Sequence, residues 1–273
     1  MSLALKGTLV LVGAGKMGGA MLEGWLKSGA DPKKIAVLDP FASDDMKALL
    51  AKHKVSLNPA IASIKDAEVV LIAVKPQMME EVLPTVVGLG ASRPLILSVA
   101  AGKTIASFER HFGKSAAIIR TIPNTPASIG RGITAMSANA NVLATQMKLA
   151  KDLLSAIGEV VTVDREELID SVTAVSGSGP AYVFYMTECL AAAAEKVGLP
   201  PALAMQLARA TVAGSGELMR VTGTDAATLR QNVTSPKGTT HAALQVLMAE
   251  DGLQPLFEKA VKAAADRSRE LAS

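Results

Sequence analysis

Three kinds of stretch in this chain combine residue types and spacings that could do chemistry. The first is Gly13-Ala14-Gly15-Lys16-Met17-Gly18, which satisfies G-x-G-x-x-G between the apolar run Thr8–Val12 and the helical pattern Met17–Leu26. In that setting the first glycine permits a tight turn, and the second lets backbone N–H groups approach a pyrophosphate. The helix N-terminus adds partial positive charge. The motif predicts a dinucleotide site on Gly13, Gly15, Lys16, Met17 and Gly18. Asp39 stands 21 residues after Gly18, where an acid would accept a ribose 2′-hydroxyl and repel a 2′-phosphate. The competing reading is a turn aspartate before Pro40. Ser43 and Lys47 could meet a 2′-phosphate if the loop turned inward, so NADPH and NADH both stay open.

The second stretch-type comprises two strand ends, Ala73-Val74-Lys75-Pro76 and Ser98-Val99-Ala100-Ala101-Gly102. Ligands of open α/β sheets bind outside the carboxyl ends of the strands. These turns are therefore expected to line the nicotinamide half of the site. A lysine at such a turn is more often solvated or capping than catalytic, and Lys75 is read that way. The third comprises two polar segments later in the chain. Val175-Ser176-Gly177-Ser178-Gly179-Pro180 is too rich in small residues to read as plain helix, and it allows close backbone approach to a ligand. Thr234-Ser235-Pro236-Lys237-Gly238-Thr239-Thr240 sets hydroxyls and N–H groups at a helix start, suited to a carboxylate; an ordinary capped turn is the alternative.

The elements that must position these groups change character along the chain. Up to about residue 165, short apolar runs (8–12, 34–39, 68–74, 94–99 and 116–121) alternate with helical stretches. Such runs predict parallel strands covered on both faces, closing as a doubly wound sheet. From Arg165 on, six segments read as helices and none as a strand: 166–175, 181–197, 202–221, 226–233, 240–249 and 253–271. The expected organisation is a Rossmann-type domain over 1–165 and an all-α domain over 166–273.

Composition closes off other classes. With 49% apolar and 19% charged residues in 273, the chain can fill a sizeable core. Its 28 basic and 25 acidic residues are scattered, giving +3 and no nucleic-acid-binding face. The single Cys189 allows no internal disulfide, fits a reducing compartment, and reads as a small buried hydrophobe. His53, His111 and His241 form no ligand set, so no metal is expected. Leu9–Val12 is too short for a signal region, and the least charged run, 171–187, is broken by Gly177, Gly179 and Pro180. A soluble, cytoplasmic protein without a membrane span is expected.

Taken together with Arg120-Thr121-Ile122-Pro123-Asn124-Thr125-Pro126, the turn Gly177–Tyr182 and the run Val233–Thr240, these motifs make the chain resemble the pyrroline-5-carboxylate reductases over essentially its whole length. The 233–240 run is the most specific of them; Lys237 departs from the glycine that the family commonly carries there. The resemblance implies hydride transfer from NADPH, or NADH, to the C=N carbon of 1-pyrroline-5-carboxylate, giving L-proline as the last step of proline biosynthesis. A protonated cyclic imine is already electrophilic, so positioning matters more than a strong base. On this reading Thr240 hydrogen-bonds the ring nitrogen, while Ser235, Gly238 and Thr239 hold the carboxylate. Asn124 and Ser176 flank the nicotinamide. The resemblance also implies a homodimer through the helical domain, in some members built into larger rings. A β-hydroxyacid dehydrogenase has a similar layout, but places a lysine shortly after its Gly-Ser-Gly turn, where this chain has Pro180-Ala181-Tyr182-Val183. A non-catalytic dinucleotide-sensing module would not need the polar 234–240 turn.

Overall fold

The computed structural model describes residues 3–272. By contacts the chain forms two compact units. One gathers the chain up to Gly177 together with the segment from Ala264 on; the other spans Ser178–Ala263. The compact division therefore falls about a dozen residues after the change in sequence character, because residues 166–177 pack with the sheet: Ile169 lies in one cluster with Ile122 and Ala135.

The first unit is an eight-stranded sheet in the order β3-β2-β1-β4-β5-β6-β7-β8. Its strands are β1 (Thr8–Val12), β2 (Ile35–Leu38), β3 (Ser56–Leu57), β4 (Ala67–Ile72), β5 (Leu95–Ser98), β6 (Ala117–Ile122), β7 (Gly132–Ala138) and β8 (Gly158–Thr162). The first six run parallel, as their apolar composition predicts. β7 pairs antiparallel with β6 and extends the sheet with β8. The short link between β6 and β7 cannot hold the crossover that a parallel neighbour needs. Neither β7 nor β8 is among the runs read as strands: GITAMSA carries few β-branched residues, and GEVVT, though β-branched at Val160, Val161 and Thr162, is short and begins with Gly158 and Glu159.

Alternating strand residues feed two cores. Leu9, Leu11, Val37, Leu71 and Leu97 pack with Met21, Leu22 and Trp25 of α1 (Lys16–Lys27) and with Leu153 and Leu154 of α5 (Ala144–Ser155). Val10, Val12, Val70, Ile72 and Ile96 pack on the other face with Leu83 of α3 (Met79–Val86) and Phe108 of α4 (Ile105–Phe112). Trp25 is fully buried, and its indole N–H donates to the Leu153 carbonyl at 2.8 Å, which removes the cost of burying that polar atom. Burying side chains of this size contributes about 1.5–3 kcal/mol each. The result is a stiff platform that fixes the carboxyl edge of the sheet.

The second unit is helical: α7 (Gly179–Lys196), α8 (Pro201–Thr222), α9 (Ala226–Asn232), α10 (Thr239–Leu247) and the first part of α11 (Leu253–Ala272). The connection from Val197 to Pro200 folds α8 back on α7, and Ala191, Ala204 and Ala208 are buried there. The Tyr182 and Phe257 rings meet edge to face, with centroids 6.3 Å apart. Most large apolar side chains of the unit nevertheless stay exposed, among them Phe184, Tyr185, Met186, Leu207 and Leu218. Cys189 is exposed as well, against the expectation of burial. It lies two residues, about 200° around the helix, from Ala191, so it faces the opposite side of α7.

The 175–180 segment is not plain helix, in keeping with its small residues: α6 (Leu168–Val172) widens into a π-helical turn, Thr173–Gly177, Ser178 interrupts it, and α7 begins at Gly179. The Thr173 and Ser176 hydroxyls donate back to the carbonyls four residues earlier, at 2.7 and 3.1 Å, competing with the backbone N–H groups for them where the helix widens.

Candidate active site

The register of the sheet sets one row of residues across its carboxyl edge: Leu38, Val12, Ile72, Ser98 and Arg120. The next residues of each strand therefore emerge side by side. Gly13, Asp39, Ala73 and Val99 follow, with Ala100, Ala101, Gly102 and Asn124 a little beyond. β1 lies between β2 and β4, where the connections switch direction, so the ends of β1 and β4 flank the crevice that takes ligands in such sheets. A hollow of about 1000 Å³ lined by Leu3, Trp25 and Arg93 opens at the opposite, amino edge and is remote from this row.

The three motif glycines have separable tasks. Gly13 has φ +89°, and a Cβ there would strike Val74 Cγ1 at 2.9 Å. A Cβ on Gly18 would collide with the Gly13 carbonyl, so this glycine allows α1 to sit close to the turn. A Cβ on Gly15 would meet no protein atom within 4 Å. That space is left for something other than the chain itself. Gly15 caps α1 without a side-chain hydrogen bond, and no acid occupies the first turn. Lys16 stands exposed at the first helical position and Met17 is half-buried beside it. Free N–H groups, the helix dipole and a cation together suit a pyrophosphate, so the residues fit a dinucleotide.

Asp39 holds this turn in place. Its Oδ2 accepts from the Ala14 N–H at 2.8 Å and its Oδ1 from the Phe41 N–H at 2.9 Å. Asn58 clamps the Asp39 peptide from the other side, donating to its carbonyl and accepting from its N–H. Asn58 has φ +50° and was not indicated by any motif. On the neighbouring strands, Lys75 is exposed and precedes a short turn, Pro76–Met78, whose N–H groups its side chain does not cap. The Asn124 side-chain carbonyl accepts from the Ile133 N–H at 3.0 Å and so ties the turn after β6 to β7.

A buried ionic cluster lies just behind that edge. Arg120 on β6 meets Glu166 at 3.0 Å and Asp170 of α6 at 3.5 Å. Glu166 also accepts from the Ile105 N–H, and Asp170 from the Ser268 hydroxyl at 2.7 Å. Sequence reading gave these residues no role. The usable signal was an arginine inside the apolar run Ala117–Ile122, matched by two acids four residues apart.

In the helical unit, Ser235–Gly238 is a turn closed by Gly238 N–H donating to the Ser235 carbonyl at 3.0 Å. Lys237 holds the left-handed position of that turn, φ +61°, which favours glycine. Gly238 is the N-cap of α10 and offers no side-chain cap, while Thr239 and Thr240 are its first two residues. A Cβ on Gly238 would collide with Ser235 Oγ, so the serine hydroxyl lies directly over the helix start. Among the described residues, neither the Thr239 nor the Thr240 hydroxyl is engaged by a capping bond. The arrangement can accept a small anion and keeps two hydroxyls beside it.

The C-terminal part of the chain, residues 166–271, matches the family model for pyrroline-5-carboxylate reductase dimerisation. Residues 8–102 match a model described as NADP oxidoreductase, coenzyme F420-dependent. The pyrroline-5-carboxylate reductase of Pseudomonas aeruginosa is 38% identical, over 97% of this chain and 96% of its own. The chain belongs to the pyrroline-5-carboxylate reductase family. The Synechocystis member is 41% identical over 96% of this chain and 97% of its own. A solved pyrroline-5-carboxylate reductase from Coxiella burnetii superposes with TM-score 0.91 at 35% identity, covering 98% of this chain and all of that one, 100%. The Plasmodium falciparum reductase, solved with NADP bound, gives TM-score 0.81 at 27% identity over 98% and 99% of the two chains. These full-length likenesses set aside the β-hydroxyacid dehydrogenase reading.

Proposed function

We propose that this reductase converts 1-pyrroline-5-carboxylate to L-proline, the closing step of proline biosynthesis, using NADPH with NADH also admitted. The observation that carries the reading is the start of α10, whose N-cap Gly238 supplies no side-chain cap, with the hydroxyl residues Ser235, Thr239 and Thr240 beside it. When bound, the reduced nicotinamide supplies the hydride. Gly13, Gly15, Lys16, Met17 and Gly18 hold the pyrophosphate, and Asp39 the adenosine ribose. Ala73–Pro76, Ala100–Gly102, Asn124 and Ser176 border the nicotinamide half.

Ser235, Gly238 and Thr239 hold the substrate carboxylate at the helix start, where N–H groups and dipole both favour negative charge. Thr240 hydrogen-bonds the ring nitrogen. In the iminium the ring N–H donates to the Thr240 hydroxyl oxygen; hydride addition to carbon leaves a lone pair on nitrogen, which can then accept from that hydroxyl. No side chain needs to abstract a proton from carbon.

The division of labour is a nucleotide-binding part over 1–165 and a substrate and dimerisation part over 166–273. Its exposed apolar faces support a homodimer, with rings of dimers as the larger assembly. No helix among the described residues is long and apolar enough to cross a membrane, and the lone cysteine supports a cytoplasmic location. The test is oxidation of NADPH or NADH followed at the nicotinamide absorbance with and without 1-pyrroline-5-carboxylate. Imine-dependent oxidation yielding proline supports the reading. Dinucleotide binding without turnover would leave a sensing module instead.

A further inference from the structure

Glu166 supports the loop that borders the nicotinamide half of the site, a role that rests on the nucleotide site proposed above. β5 ends at Ser98 and α4 begins at Ile105, so Val99–Thr104 is a loop at the carboxyl edge. The sheet fixes its near end. The Val99 N–H donates to the Ile72 carbonyl at 3.1 Å, and the Ala100 N–H to the Ser98 hydroxyl at 3.2 Å. The Thr121 hydroxyl of β6 donates to the Ser98 carbonyl at 2.8 Å. Farther along, Gly102 has φ +72°, and a Cβ there would lie 3.2 Å from the Leu271 carbonyl oxygen. The end of α11 therefore lies against the loop.

The far end is the Ile105 N–H, one of the donors that a helix start leaves without an internal partner. The N-cap Thr104 gives its hydroxyl oxygen to Ser107 instead. Ile105 donates to Glu166 Oε1 at 2.8 Å, across a separation of 61 residues. The same oxygen takes the Arg120 guanidinium at 3.0 Å, and the Arg120 side chain is only 3% exposed. Arg120 also lies 3.5 Å from Asp170, which accepts from the Ser268 hydroxyl of α11. A carboxylate at a helix start is favoured by the dipole, and its bond to an N–H is stronger than a neutral one. Glu166 is itself held, so it can hold the loop.

We propose that Glu166, backed by Arg120, is a positioning residue for hydride transfer: its bond to the Ile105 N–H sets the Ala100–Gly102 loop, and so the nicotinamide ring, against the imine. A displacement of about 1 Å at reacting atoms can cost on the order of a hundredfold in rate. The adenosine half is held elsewhere, at the glycine turn and at Asp39 ahead of α2 (Asp44–His53); β1 and β4 separate β2 from β5. The substrate carboxylate is held at α10. Loss of the brace therefore acts on kcat and on the nicotinamide half, and spares the adenosine half and the imine KM.

Ile105→Pro deletes the bond while sparing the Arg120–Glu166 pair. Proline suits the first helical position, and Thr104, extended at ψ 160°, accepts a proline after it. Ile105→Ala loses the same side chain but keeps the N–H. With NADPH and 1-pyrroline-5-carboxylate, kcat is expected to be on the order of tenfold lower for the proline variant than for the alanine variant, with the imine KM within about twofold. Glu166→Ala should repeat the loss, and Glu166→Gln, which keeps an acceptor, should recover most of it. Calorimetric titration with NADP+ and with adenosine 2′,5′-bisphosphate, which lacks the nicotinamide half, locates the damage. Ile105→Pro and Glu166→Ala should bind the bisphosphate normally and NADP+ several-fold more weakly. Equal kcat in the two Ile105 variants, or equal weakening of both ligands, overturns the proposal. Failure of the unaltered enzyme to bind NADP+ overturns it together with the nucleotide site.

Discussion

Arg120, buried on β6, holds the Glu166 carboxylate at 3.0 Å, and the same guanidinium lies 3.5 Å from Asp170, which accepts from the Ser268 hydroxyl. One side chain thereby gathers α6, the start of α4 and the final part of α11. Both places where the chain passes from one compact unit to the other, after Gly177 and before Ala264, lie a few residues from this cluster in sequence.

Arg120→Met is expected to destabilise the fold by about 3–5 kcal/mol, because it leaves two carboxylates underpaired in a largely buried place. Ser268→Ala removes a single hydrogen bond to a charged group and should cost about 1.5–3 kcal/mol. Urea unfolding of both variants checks the order. A neutral Arg120→Met would show that the cluster is solvated in solution.

The motif glycines separate binding from folding. Gly15→Val should leave the melting temperature close to unchanged, since its Cβ meets no protein atom within 4 Å, yet abolish dinucleotide binding. Gly18→Val should lower the melting temperature by driving a side chain into the Gly13 carbonyl. Fluorescence titration and thermal melts on the two variants distinguish these effects. Normal affinity in Gly15→Val would take the turn out of the site.

Thr240 is the most exposed to test. If its hydroxyl bonds the ring nitrogen, Thr240→Val should fold normally and bind cofactor normally. Its kcat/KM should drop roughly 5- to 150-fold, the equivalent of about 1–3 kcal/mol. Thr240→Ser should retain most of the activity. A helix-capping role would instead lower stability with near-normal turnover, but Gly238 is the cap and Thr240 the second helical residue. Undiminished turnover in the valine variant ends the catalytic assignment.

Light scattering at micromolar concentration should return a dimer or a multiple of it. Phe184 and Tyr185 on α7 and Leu207 and Leu218 on α8 are too many exposed apolar side chains for a stable solitary unit. A monomer would contradict the assigned interface.

Much of this was legible in the residues themselves. The glycine motif, the strand runs 8–12 to 116–121 and the helices after Arg165 are local patterns, set by steric freedom and hydrophobic period, and the structure reproduces them within a few residues. The polar turn before α10 was equally local. What the sequence could not determine depended on partners distant along the chain. β7 is a strand because β6 offers it an edge, not because its own residues demand extension. The small-residue segment around Ser176 takes a π-helical turn, where hydroxyls compete for the carbonyls four residues back. Cys189 is exposed because the alanine face of α7 took the contacts with α8. Asp39 had two readings, ribose acceptor or turn residue. Only the fold, by placing Ala14 and Phe41 on its two oxygens, showed a carboxylate that braces the turn and keeps its charge fixed beside it. Periodicity reports what one element needs, whereas burial and long-range hydrogen bonds are decided by which elements meet.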